Sequence, residues 1–241
     1  MANATVHHGI TMRRDAWWIA PLLTLIVLGG FGIYATWRAF ENNYYEVGPY
    51  LSPFYSPLIL ANWWPFSPAF LILWAPLGFR VTCYYYRKAY YRAFFWDPPA
   101  CAVGELRKSY NGETRFPFFL QNLHRYFFYA ATVVLAFLWY DAIKAFIFDG
   151  HFGVGVGSIV LLVNVVLLSF YSFSCHSLRH LIGGGLDEFS KCPSRYKLWG
   201  CASTLNHNHM LWAWVSLFSV ALADLYVRLV ATGAINDMRL I

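Results

Sequence analysis

Cys175, His176, Arg179 and His180 crowd into Ser172–Gly185, SFSCHSLRHLIGGG, at the end of a long apolar run. Ionisable groups at the edge of a hydrocarbon-length helix are costly and are kept for a partner, a ligand or a metal. Cys83–Lys88, CYYYRK, ends another apolar run in the same frame: cysteine, three residues, arginine, then a basic residue. After each stretch and a basic loop, a histidine opens the next apolar run: His124 after Cys83, and His207 or His209 after Cys175. Laid over each other, Cys83 matches Cys175, Arg87 matches Arg179, and His124 matches His209. The repeat thus selects two thiols and two imidazoles: Cys83, His124, Cys175 and His209. Zinc takes such a set tetrahedrally. A Rieske-type two-iron, two-sulfur cluster takes two cysteines on one iron and two histidines on the other, and haem would instead need an axial pair of histidines across facing helices. The two-fold pairing suits the Rieske arrangement without excluding zinc. His207 is the rival to His209, and His176 or His180 the rival to His124.

The elements that must carry these residues are apolar spans. The 241 residues are 59% hydrophobic, 20% aromatic and 12% charged, with a net charge of +6. A soluble domain carries about 25% charged residues, so the composition is that of a chain built for lipid. About twenty apolar residues cross a bilayer core. Five such runs are predicted, at about 17–37, 63–86, 124–148, 158–180 and 207–229. The first lacks a small-residue cleavage site and reads as a true span rather than a signal peptide. Pro65, Pro68 and Pro76 interrupt the second, with Pro76 expected to kink it. Between the first two runs, the Pro- and aromatic-rich stretch 38–62 suits an interface belt.

Basic residues lie mostly on one side. Arg13 and Arg14 precede the first run, Arg87, Lys88, Arg92, Arg107, Lys108 and Arg115 fill loop 87–123, and Lys191, Arg195 and Lys197 lie in loop 181–206. The positive-inside rule then predicts a cytoplasmic N-terminus, an outer C-terminus and a plasma-membrane location. The fold expected is all-α: a single transmembrane domain, 1–241, with segments 2–3 and 4–5 as two similar helical hairpins. All five cysteines fall at or beyond the cytoplasmic helix ends. That compartment is reducing and the count is odd, which argues against a disulfide framework. Taken singly, Cys101, Cys192 and Cys201 read as small apolar fillers. Asp141/Lys144 and Asp224/Arg228 read as neutralising pairs near the outer ends of their helices.

The stretches TCYYYRKAYYRAFFWDPPACAVGE (82–105), RFPFFLQNLHRYFFYA (115–130), FSCHSLRHL (173–181) and NHNHMLWAW (206–214) resemble the single-chain, five-helix membrane anchor of succinate dehydrogenase (respiratory complex II). The likeness is to the cytochrome b-like anchors of the actinobacterial, mycobacterial-type branch, and runs from the second segment onward. It implies a flavoprotein subunit that oxidises succinate, an iron–sulfur subunit that relays electrons, and this anchor delivering them to a quinone, expected to be menaquinone. It also implies a membrane-embedded Rieske-type 2Fe-2S cluster in place of haem b. No flavin site, succinate site or nucleic-acid partner is expected in this chain. Arg80, Tyr84, Tyr85, His176, His180 and Trp212 lie at a depth suited to a quinone pocket, where Tyr or His can hydrogen-bond a quinone oxygen and pass protons. The basic loops gain a second expected role as the docking platform for the iron–sulfur subunit.

Three rival readings remain. A haem b-bearing anchor of the same enzyme would use a pair among the inner histidines. A di-iron membrane enzyme would use His176-x-x-x-His180 as one of several histidine boxes, but leaves the matched cysteines unexplained. A zinc-stabilised transporter would fit the repeat, but neither half shows a broken helix with a midplane charge.

Overall fold

The computed structural model describes residues 9–106, 114–116 and 118–240; Arg107 and Lys108 of the basic loop lie outside them. In chain order the helices are α1 (Ile19–Glu41), α2 (Ala69–Thr82), α3 (Tyr84–Tyr90), α4 (His124–Lys144), α5 (Val156–Phe173), α6 (His176–Gly183), α7 (Pro193–His207) and α8 (His209–Ala231). Two short antiparallel hairpins accompany them, β1 (Glu46–Val47) with β2 (Tyr50–Leu51), and β3 (Ile147–Phe148) with β4 (His151–Phe152). Among the described residues, four stretches are long and apolar enough to cross a membrane: α1, α5, α8, and Phe118–Lys144, which adds a 3₁₀ turn to α4.

The second and fourth predicted spans differ from the helices found. The run expected at 63–86 starts its helix only at Ala69, where Ser67 Oγ accepts the Ala69 N–H at 3.3 Å. Pro65 and Pro68 hold the preceding chain out of helix. This helix then stops at Thr82, because Cys83 is extended (φ −62°, ψ 129°) and α3 begins after it. At 1.5 Å per residue α2 covers about 21 Å, short of a ~30 Å hydrocarbon core. The run expected at 158–180 breaks in the same way. Cys175 is extended (φ −66°, ψ 140°) between α5 and α6, and its Sγ accepts the Ser177 N–H at 3.4 Å. Each of these cysteines therefore occupies the N-cap of a short helix, and at Cys175 the sulfur satisfies an otherwise orphaned N–H.

The chain packs as two compact units, Met1–Thr36 with Arg80–His124, and Trp37–Phe79 with Arg125–Ile241. In the first, the segment before α1 is tied to the loop beyond α3. Gly9 N–H donates to Gly104 O at 3.2 Å, Thr11 Oγ1 to Ala102 O at 2.7 Å and Arg13 Nη1 to Cys101 O at 3.0 Å. A π-helical turn, Tyr91–Phe95, follows α3.

In the second unit α5 packs chiefly on α8, and α6 on α7. Ala142, Ala145, Ala213 and Ala223 are buried where helices meet. Small residues let helix backbones approach closely, which is how membrane helices gain contact without a hydrophobic driving force. Gly78 does the same for α2, since a Cβ there would stand 2.2 Å from the Phe127 ring. Stretch 38–62 is only in part the interface belt expected: Phe40 and Tyr44 are exposed, but Tyr50, Phe54 and Tyr55 are buried, as are Ser52 and Ser56. Nor do Asp224 and Arg228 neutralise each other. Arg38 Nε donates to Asp224 Oδ2 at 2.8 Å, and Arg228 Nη2 to Glu41 Oε1 at 2.8 Å. The charges at the end of α8 are answered by the end of α1.

Candidate metal centre

In the first unit the joint between α2 and α3 buries Cys83, and His124 opens α4, also buried. The residue before the cysteine holds that histidine: Thr82 Oγ1 lies 2.8 Å from His124 Nδ1. One turn into α3, Arg87 Nη1 donates to Gln121 Oε1 at 3.0 Å. The Gln121 amide nitrogen in turn donates to the Tyr90 and Tyr91 hydroxyls, each at 3.0 Å. The start of α4 is thus fixed to the end of the preceding hairpin arm by one hydroxyl and one amide.

The second unit repeats these contacts with matching residues. Cys175 is fully buried between α5 and α6, and His209 opens α8. Ser174 Oγ lies 2.6 Å from His209 Nδ1. The same hydroxyl oxygen lies 2.9 Å from Tyr171 O. The ring also stacks on Tyr171, with centroids 5.3 Å apart and planes 18° from parallel. Arg179 Nη1 donates to Asn206 Oδ1 at 3.1 Å, and Asn206 Nδ2 to Ser174 O at 2.7 Å. Arg179 also bonds Ser203 and lies over the Trp199 ring at 5.0 Å.

Thr82, Ser174, Gln121 and Asn206 were not among the residues singled out from the sequence. Their signal was present: a hydroxyl stands directly before each matched cysteine, and a carboxamide three residues before each matched histidine. Neutral polar residues are common at helix ends, so only the contacts distinguish these four.

The rival histidines sit differently. A His176 ring nitrogen lies within 4.8 Å of Cys175 Sγ, and the ring meets His180 edge-on at 6.0 Å. Although His176 is largely open to its surroundings, desolvation on its packed side holds its imidazole below the ordinary histidine value. The nearby His180, Arg179 and Arg125 push the same way. His207 is exposed at the end of α7.

The six residues read as a quinone pocket divide evenly between the units. In the first, Arg80 Nη1 donates to Tyr86 OH at 2.5 Å, Tyr84 is exposed beneath the Arg87 guanidinium at 5.0 Å, and Tyr85 meets Tyr86 edge-on at 5.9 Å. In the second, His176 and His180 stand one turn apart on α6. Trp212 packs on Phe170 at 4.8 Å, and its buried indole N–H has no hydrogen-bond partner among the described residues.

The family model for the actinobacterial succinate dehydrogenase subunit SdhC matches residues 19–233, nearly the whole chain. The chain belongs to this family. Among solved structures, a chain of the Mycobacterium smegmatis Sdh1 complex in the apo form is 50% identical, with a TM-score of 0.88 over 96% of this chain and 94% of that one. No curated protein matches. As an SdhC-family chain it is a membrane anchor subunit of succinate dehydrogenase, an oxidoreductase, and works in the membrane beside the enzyme's other subunits.

Proposed function

We propose that this SdhC-family anchor holds a Rieske-type 2Fe-2S cluster through Cys83, Cys175, His124 and His209, and delivers electrons from the iron–sulfur subunit to a quinone, menaquinone being expected. Bound there, the cluster would supply one-electron transfer between the soluble relay, fed by the flavoprotein, and the quinone pool. The observation that carries the reading is the duplicated contact, Thr82 with His124 Nδ1 and Ser174 with His209 Nδ1. Metal-bound histidines usually give their second ring nitrogen to an outer partner that fixes tautomer and orientation. Two thiols and two imidazoles are also the donor set such a cluster requires.

The chain's own residues would do the rest. Cys83 and Cys175, buried at helix joints, exclude water from the sulfur ligands. Around the quinone, Arg80, Tyr84, Tyr85, His176, His180 and Trp212 would supply hydrogen bonds, with the Trp212 indole N–H suited to a quinone oxygen. The five-span topology belongs to the same proposal: α2 with α3 forms the short second crossing, and the basic loops and the N-terminus face the cytoplasm. Haem b is the alternative cofactor, but it would leave both buried cysteines with only the helix-capping position described above.

Replacing His124 and His209 together by alanine tests the reading in the purified complex. Quinone reduction is expected to vanish while succinate oxidation by an artificial acceptor continues. The reduced wild type should show a Rieske-like paramagnetic resonance signal and no b-type haem band. Quinone turnover that survives the double replacement would remove these histidines from the electron path.

A further inference from the structure

The C-terminal end of α4 borders a cavity of about 300 Å³ that lies wholly within the second unit. Three charged groups line it: Glu46 from β1, and Asp141 and Lys144 from the last turn of α4. Asp141 and Lys144 do not form the neutralising pair expected of them; Ser56 Oγ donates to Asp141 Oδ2 at 2.5 Å instead. Among the described residues neither Glu46 nor Lys144 enters an ion pair, and both are exposed. The rest of the lining is mostly apolar, Pro57, Leu58 and Phe137 among it. Lys144 ends a stretch long and apolar enough to cross a membrane, so the cavity lies at a membrane–water boundary. From Lys144 an exposed stripe runs back along one face of α4 through Tyr140, Phe137 and Val133.

We propose that this cavity binds the headgroup of a phospholipid bearing a primary ammonium, of which phosphatidylethanolamine is the type. Two carboxylates and one ammonium call for an occupant with a cation to give the acids and an anion to give the lysine. The ethanolamine ammonium donates to Glu46 and to Asp141, a carboxylate that accepts several hydrogen bonds and spends one on Ser56. The phosphate takes a charge-assisted bond from Lys144. A choline headgroup has no N–H to offer the carboxylates. Phosphatidylglycerol brings only negative charge to a site where acids outnumber the base. Ligand pockets run from roughly 300 to 1,000 Å³, so this cavity has room for a headgroup but not for acyl chains. The chains lie along the stripe of Tyr140, Phe137 and Val133, which water would leave exposed at a cost. Bound in this way, the lipid joins the β1 hairpin to the end of α4.

The test uses the whole complex in detergent, offered equal amounts of phosphatidylethanolamine, phosphatidylcholine and phosphatidylglycerol with matched chains. Bound lipid is counted by native mass spectrometry. The wild type should retain phosphatidylethanolamine over both others. Glu46→Gln should cut its preference over phosphatidylcholine about fivefold, the scale of a partly solvated charge-assisted hydrogen bond. Lys144→Gln should weaken both of these lipids together and leave their ratio near the wild-type value, since they share the phosphate. A ratio unchanged by Glu46→Gln, or a wild type that prefers phosphatidylglycerol, would overturn the proposal. The wild type alone supplies a second readout, should a variant not assemble. Phosphatidylethanolamine with a photoreactive acyl chain should label α4 between Val133 and Tyr140, and equal labelling there by the choline lipid would overturn the headgroup assignment. Soluble phosphoethanolamine at the same concentration should not displace the labelled lipid. Displacement would make the occupant a free aminophosphate and overturn the lipid.

Discussion

Arg38, Glu41, Asp224 and Arg228 join two cations to two anions, whereas the contacts around His124 and His209 pair imidazoles with hydroxyls. In the first cluster Arg38 and Asp224 are fully buried, and Ser52 and the carbonyl groups of Asn43 and Tyr44 take part in the bonding. Its charges are answered by one another across elements, so its work is to fasten the end of α1 to α8. In the second, the Thr82 and Ser174 hydroxyls lie 2.8 Å and 2.6 Å from Nδ1 of their histidines and hold the rings in place. Charge inside a membrane protein usually marks function. Here the more highly charged cluster fastens two helices, while the proposed ligands His124 and His209 make milder hydroxyl–imidazole contacts.

The largest effect should come from breaking the fastening. Arg38→Ala leaves Asp224 buried without its cation, a change that typically costs about 3–5 kcal/mol. Thermal unfolding of the detergent-solubilised complex should show that loss, while whatever assembles retains the wild-type resonance spectrum. Arg38→Met combined with Asp224→Leu should cost less than the single change, because no charge is stranded. A single variant with altered cluster spectrum and unchanged stability would reverse the two assignments.

A third polar cluster tests the contrast more finely, through pH. Burial pushes the Asp237 carboxyl up, but hydrogen bonds from Tyr226 and Tyr50, each 2.6 Å, and from the Gly157 N–H at 3.0 Å outweigh it and hold it below the usual range. Burial and the carboxylate push Tyr50 up to about 12, so Tyr50 stays a donor throughout. With the folded value below the unfolded one near 3.9, the stabilisation is complete above about pH 4 and is lost as pH falls through the folded value. Unfolding temperature should therefore drop less between neutral and strongly acidic pH in Asp237→Asn than in the wild type. Equal drops would show that this carboxylate does not carry the acid sensitivity.

The smallest effect is expected at Glu188, whose ion pair with Lys191 spans 3.4 Å on an exposed turn. Glu188→Ala should change stability by less than ~0.5 kcal/mol and less still in high salt. A larger change would mean that this turn is clamped by a contact of another kind.

The sequence by itself determined the apolar runs, the matched Cys-x-x-x-Arg frames and the histidines that open α4 and α8, because each is a local pattern along one stretch of chain. Its likeness to the succinate dehydrogenase anchor rested on the same stretches, and the family match covers them. The helix breaks at Cys83 and Cys175 were hidden, since an apolar run looks continuous whether or not one residue turns extended. Asp224 seemed paired with Arg228 because four residues is a helical neighbourhood; its partner Arg38 is 186 residues away. Only the tertiary structure could bring such residues together, and only it showed that Thr82 and Ser174 take hold of Nδ1. A hydrogen bond needs two atoms within about 3 Å of each other, and spacing along a chain does not encode that distance between separate helices.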